Sequence, residues 1–205
     1  MIKQFIHNLK ISQKLTISYF GIGVFSLVMV SFIFYYAFRD ALLERTFAQL
    51  SSINILKKTQ VEDFINLNNL TEKNYRQKEL SKLEYILQEH TGMGETGETY
   101  IVGSDHKMKT KSRFFPSKNP EEIEVNTLAI TEGLLNSEGY GIIEDYRGEK
   151  VISYYRKISA PGVEWIIVSE IDFQEAIKPV MKVKNYIMIV VAIFSLFIVY
   201  ITPCK

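Results

Sequence analysis

Along residues 107–113 two chemistries alternate. On an extended segment Met108, Thr110 and Ser112 share one face, and Lys107, Lys109, Lys111 and Arg113 share the other. The lysines suit a solvated outer face, which leaves Met108, Thr110 and Ser112 pointing inward. Arg113 ends the segment, where a guanidinium could grip a carboxylate through two parallel hydrogen bonds. Asp145 could receive a ligand amine, or could simply pair with Arg113. Tyr100, Tyr146 and Tyr154 offer hydroxyls on apolar bodies, or serve as ordinary sheet formers. Tyr100, Ser112, Arg113, Asp145, Tyr146 and Tyr154 are therefore the candidate ligand-binding residues. Their chemistry suits a concave, largely apolar hollow with a few polar groups.

Other chemistry is excluded by context. Gly92, Gly94 and Gly97 match a GxGxxG pattern, but a dinucleotide fingerprint follows a strand and opens a helix. Here the run follows a helical pattern and precedes a strand pattern, and Glu95 and Glu98 would repel a pyrophosphate. The glycines read instead as helix-cap and turn residues where φ > 0 is needed. His7, His90 and His106 show no metal-ligand spacing with one another or with neighbouring carboxylates. Asn69-Leu70-Thr71 fits a glycosylation sequon, which means nothing in a bacterial protein. No nucleophile elbow, acid pair or kinase signature appears, so neither enzyme activity nor a cofactor is expected.

The elements that must position the candidates follow from hydropathy and charge. The 205 residues hold 24 Lys+Arg, 23 Asp+Glu and one cysteine. Residues 15–38 contain no Asp, Glu, Lys, Arg or His, and neither do residues 185–204. About 20 apolar residues of helix cross a bilayer, so both runs qualify as spans. The first is too long for the apolar core of a signal peptide and lacks a small-x-small cleavage site. It reads as an uncleaved anchor. Lys3, Lys10 and Lys14 in residues 1–14 place that end in the cytoplasm. Residues 39–184 then lie outside as one domain, with a net charge of −3. Nothing resembles a polyanion-binding patch, so no nucleic-acid partner is expected. Cys204 alone cannot form a disulfide framework.

Glycine and proline divide the external segment. Neither occurs from Val24 to Thr91, whereas Gly92 to Gly162 is rich in both. Leu43, Phe47, Leu50 and Ile53 recur at helical spacing, which predicts one helix running from the first span to about Ile65, roughly 75 Å from Leu15. The asparagine-rich residues 66–69 make a plausible stop. A second helix is predicted over 77–89. Strands are predicted over 99–103, 107–113, 140–146, 151–158 and 164–171, with a helix over 125–135. Asp172 can cap a final helix that passes Pro179 into the second span. The fold class is α+β, with about five strands in one mostly antiparallel sheet.

Longer stretches resemble a known family. Residues 91–103, from Thr91-Gly92-Met93-Gly94-Glu95-Thr96-Gly97 to Gly103, resemble the opening of the sensor module of bacterial Cache-domain receptors. So do Lys109-Thr110-Lys111-Ser112-Arg113-Phe114, Asp145-Tyr146-Arg147-Gly148, residues 151–155, residues 162–172 and Glu175-Ala176. The resemblance implies a single PAS-like extracytoplasmic lobe on a long helix, usually dimeric, at the front of a histidine kinase, chemoreceptor or cyclase. The amino-acid-binding signature of some two-lobed relatives is not recognisable, so amino acids are not assumed as ligands; a small ligand, an anionic metabolite, is the expectation.

The expectation is a sensor in a bacterial inner or plasma membrane, passing ligand binding to the cytoplasm by a helix displacement of ~1–2 Å. The chain stops at Lys205, so an output domain is expected beyond it, or on a full-length receptor with which this chain forms a heterodimer. A homodimer is the other expected assembly. The rival expectation is a non-enzymatic envelope protein that binds a protein partner, with Leu43, Phe47 and Leu50 as a coiled-coil contact.

Overall fold

With no glycine or proline to interrupt it, the first part of the chain forms one long helix, α1, over Ile11–Leu67. The computed structural model describes residues 10–71 and 77–201. Lys3, His7 and Cys204, named above, lie outside them. After α1 come α2 (Gln77–Leu87), β1 (Glu98–Gly103), a 3₁₀ turn (Pro120–Glu122), α3 (Leu128–Asn136), β2 (Glu138–Glu144), β3 (Lys150–Lys157), β4 (Trp165–Asp172) and α4 (Phe173–Ile201). Helix α1 stops at the expected asparagines: Asn69 takes a left-handed φ of 49°, and Leu70 N–H donates back to the Ile65 carbonyl.

Two compact units divide the chain, Met1–Ala41 with Lys178–Lys205 and Leu42–Ile177. The first holds two stretches long and apolar enough to cross a membrane by length and composition. Their apolar side chains are almost wholly unburied. Tyr19, Phe25, Phe32 and Ile33 are all exposed.

The second unit is built on one four-stranded, fully antiparallel sheet in the order β1-β4-β3-β2. One face carries Ile101, Trp165 and Ile167, which pack with Val61 and Ile65 of α1 and Leu80, Leu83 and Leu87 of α2. The other carries Tyr100, Val102, Val151, Tyr155, Ile166 and Val168, covered by Met108, Ile123, Val125 and the buried side of α3. Leu43, Phe47 and Leu50 do not form an outward seam. They pack on Ile152, Tyr154 and Ile171 in a third cluster, because α1 lies on the sheet and spends that stripe inside its own domain.

The sheet has four strands, not five, because residues 107–113 do not form one. They make only isolated bridges, Val102 with Met108 and Lys107 with Glu124. Side chains divert the ladder. Thr110 Oγ1 accepts the Ile101 N–H, Glu98 accepts the Arg113 N–H, and Ser112 Oγ accepts from Phe114 and Phe115 in a local turn. Such side chain–backbone bonds compete with strand pairing. The alternation nonetheless points as expected for Met108, Thr110 and Ser112, all buried. Lys109 is the exception: it is buried and paired to Asp105 at 2.8 Å.

Two polar side chains on α1 tie it into the domain. Asn54 is fully buried and donates to the Tyr154 and Ile167 carbonyls and to Ser169 Oγ. Lys57 Nζ donates to the Leu87 carbonyl (2.8 Å) and the Glu89 carbonyl (2.6 Å), capping the C-terminal end of α2. Burial pushes its pKa down to about 8, while the charge of Glu89 pulls it upward.

Candidate ligand-binding site

Three of the six candidates, Tyr100, Ser112 and Tyr146, meet at one end of the sheet. Glu98, Tyr100, Glu170 and Ser153 share a face, since Glu98 and Ser153 both stand opposite Glu170 in the strand register. Tyr100 is fully buried and donates to Glu170 Oε2 at 2.9 Å. Its ring meets Tyr146 edge-on at 5.3 Å. Tyr146 donates to Glu98 Oε2 at 2.7 Å and lies 2.7 Å from Ser112 Oγ. Burial, then the charge of Glu98, pushes the Tyr146 hydroxyl far above the usual tyrosine range, and burial does the same for Tyr100.

Asp145 does not pair with Arg113; it is engaged mainly by its own turn. Its carboxylate accepts the backbone N–H groups of Arg147 and Glu149 and Arg147 Nε at 2.6 Å. Arg147 Nη2 also reaches Asp172 Oδ1 at 2.5 Å, so the residue expected to cap α4 is engaged in an ion pair. The guanidinium lies 3.7 Å over the Phe114 ring. Tyr154 stands apart from the other five. It points to the α1 face of the sheet, stacks with Tyr140 at 5.8 Å and accepts from Arg156; strand alternation sends it there once Ser153 and Tyr155 face the other way.

Arg113 and Ser112 instead line an open groove of about 390 Å³ at the β1 edge, between the end of α2 and residues 110–116. Its acids are largely engaged. Glu84 Oε1 accepts the Lys111 N–H, and Glu98 is held by Arg113 N–H and Tyr146. Its donors are largely free. Arg113 spends only Nη1, on the Gly97 carbonyl, while Lys111 Nζ has no partner among the described residues. His90 Nδ1 is buried without one. Burial, then the charges of Arg113 and Lys57, lowers the His90 pKa, while the charge of Glu89 pulls it upward. Free donors beside satisfied acceptors are the arrangement that receives a small anion. Among the described residues no group of three or more His, Cys, Asp or Glu could hold a metal.

Sequence reasoning missed Glu175. In the first turn of α4, its carboxylate accepts the Glu95 and Thr96 N–H groups, both at 2.7 Å, and the Thr96 hydroxyl at 2.5 Å. Thr96 Oγ1 in turn accepts from Asp172 N–H. Gly94 of the GxGxxG run serves this clasp: it has φ +73°, and a Cβ there would sit 2.4 Å from Glu175 Oε1. The only hint in the sequence was the pairing of that run with Glu175-Ala176 in the family resemblance.

No protein-family model matches this chain, and no curated protein is similar to it by sequence. Solved structures give weak likenesses. The ligand-binding domain of the Campylobacter jejuni chemoreceptor Tlp3 in complex with L-norvaline aligns at 17% identity over 68% of this chain and 63% of that one, with a TM-score of 0.42. The same domain with L-valine aligns at 18% identity over 69% and 66%, TM-score 0.38. The ligand-binding domain of the Pseudomonas fluorescens chemoreceptor CtaA with L-leucine aligns at 17% over 47% and 38%, TM-score 0.29. No family is shown. The chain spans less than two thirds of the Tlp3 domain.

Proposed function

We propose that residues 39–184 form an extracytoplasmic, Cache-like sensor domain that binds a small anion in the Arg113 groove and signals through helix displacement. Residues 15–38 and 185–204 are its two membrane spans, and residues 1–14 lie in the cytoplasm, the arrangement of the input half of a bacterial two-component or chemoreceptor-type receptor in the inner membrane. It acts as a dimer, with a second copy or with a full-length receptor, and catalyses nothing itself.

One observation carries this reading. The Gly92–Gly97 turn is gripped at one end by a groove residue, Arg113 on the Gly97 carbonyl, and in its middle by Glu175 at the start of the exit helix. An anion that draws on the free donors of Arg113 shifts the guanidinium that holds Gly97 and so acts on the turn that holds α4. Coupling of this kind is typically worth 1–3 kcal/mol, enough to bias a poised receptor.

The test uses the full chain in lipid nanodiscs against small carboxylates, inorganic phosphate and primary amines. Saturable thermal stabilisation by at least one anion is expected, with affinity falling 10-fold or more in Arg113→Ala, the loss of a charge-assisted pair. Stabilisation by amines alone, or anion binding unchanged in Arg113→Ala, would sink the assignment. Topology is checked separately: in intact cells of a Cys204→Ser background, exposed Ser104→Cys is expected to react with an impermeant maleimide. No labelling there would place the domain inside.

A protein-binding role retains one supporting feature, since Leu56, Leu67 and Tyr85 of the second unit are largely exposed. Absence of any small-molecule response, with a protein captured through that face, would favour it.

A further inference from the structure

The groove does not use the most deeply buried acid in the domain. Glu170 is 3% exposed, and the residues on either side of it in the sheet are Glu98 and Ser153. Glu98 is itself buried, so two carboxyl groups stand directly opposite one another on adjacent strands, where like charges repel. Asp145 adds a third nearby. The one cation in the cluster, Arg147, is committed to Asp145 and Asp172. A second, independent observation concerns Ser153. It is fully buried and faces Glu170, yet neither Ser153 Oγ nor Glu170 Oε1 completes a hydrogen bond. The serine hydroxyl can donate to that carboxylate or accept from its protonated form, so the pairing suits either charge state of Glu170.

We propose that Glu170 holds a proton, and that the opposed Glu98–Glu170 pair makes the domain a sensor of protons. Protonated, Glu170 can donate toward Ser153 while still accepting from Tyr100, and only one charge remains in the pair. Ionised, it faces Glu98 and Asp145, while Arg147 is already held by Asp145 and Asp172. The strain falls on groups that lead outward. Glu98 holds the Arg113 N–H and the Tyr146 hydroxyl, and Glu170 lies two residues before Asp172, whose N–H bonds Thr96 in the α4 clasp.

The groups facing Glu170 are Glu98 and Tyr100 from β1, Ser153 from β3, and Asp145, Tyr146 and Arg147 from the turn after β2. Burial lifts its pKa to about 8, against the downward pull of the Tyr100 hydroxyl; the charges of Asp145 and Glu98 add to the rise. Burial raises Glu98 as well. A carboxyl whose pKa is raised in the folded state contributes stability that is complete below its unfolded value, about 4.5, and is lost as pH climbs through about 8. The response therefore falls between mildly acidic and mildly alkaline conditions.

This inference does not rest on the anion reading, and its test uses no ligand. The full chain in nanodiscs is melted at intervals from pH 6 to pH 9, with Glu170→Gln alongside. The wild-type melting temperature is expected to fall by roughly 5 °C or more across that range, and that of Glu170→Gln, which keeps an acceptor for Tyr100, to fall by less than half as much. Equal falls in both would overturn the proposal. Should Glu170→Gln not fold, the wild-type infrared spectrum decides. A protonated-carboxyl band present at pH 6 and titrating away near pH 8 supports the inference, and its absence at pH 6 overturns it.

Discussion

Replacing Arg147 by alanine is expected to destabilise residues 42–177 by about 3 kcal/mol, with little recovery from lysine. Breaking a buried ion pair leaves the partner charge uncompensated, which costs ~3–5 kcal/mol when the pair is fully buried. Arg147 is 12% exposed, with Asp145 at 1% and Asp172 at 24%, which places the expected loss near the lower end. Burial weighs against the guanidinium charge, but the bonds to Asp172 and Asp145 outweigh it and raise its pKa. The side chain joins three segments: the turn that carries Tyr146, the end of β4 and Phe114. Lysine cannot fork to two carboxylates and stack on a ring at once. Urea unfolding of the single variants and of the Arg147→Ala, Asp145→Asn double variant would measure the coupling. A coupling energy near zero would show that the bridge is incidental.

Glu175→Ala is expected to release the Gly92–Gly97 turn. Three donors lose their acceptor together, and hydrogen bonds to a charged group are worth ~1.5–3 kcal/mol each. Glu175 is only partly buried, so water recovers part of that sum. A fall of tenfold to a hundredfold in amide-exchange protection at Glu95 and Thr96 is expected, about 1.4–2.7 kcal/mol of local opening. Gly94→Ala attacks the same clasp from the other side, through a positive φ and a Cβ placed on the carboxylate, and is expected to give the same pattern. The signalling role adds a second expectation: an anion should still bind Glu175→Ala but no longer alter the exchange of α4. Unchanged protection at Thr96 in either variant would remove the clasp from the mechanism.

Much of the architecture was legible because it rests on local, periodic signals. The absence of breakers from Val24 to Thr91 dictates the long helix, and two uncharged runs dictate two apolar helices. Four of the five expected strands form within two residues of their expected bounds. The fifth failed because Thr110, Ser112 and Glu98 take backbone N–H groups that a ladder would need. Alternation along residues 107–113 marks a side-chain direction, and direction alone does not make a strand.

The site divides along the same line. Residue types identified Tyr100, Ser112, Arg113 and Tyr146 as polar groups on apolar ground, since hydroxyls and guanidinium carry their chemistry wherever the fold puts them. Pairing is another matter. That Asp145 belongs to Arg147, that Glu98 opposes Glu170, that Tyr154 faces α1 and that Glu175 reaches back across 79 residues to Thr96 are products of register and chain return. By itself the sequence determined two apolar helices, an α+β domain between them and a set of polar candidates. Only the tertiary structure decided which charges meet, because long-range partners are chosen by strand register and packing, and neither leaves a trace in local spacing.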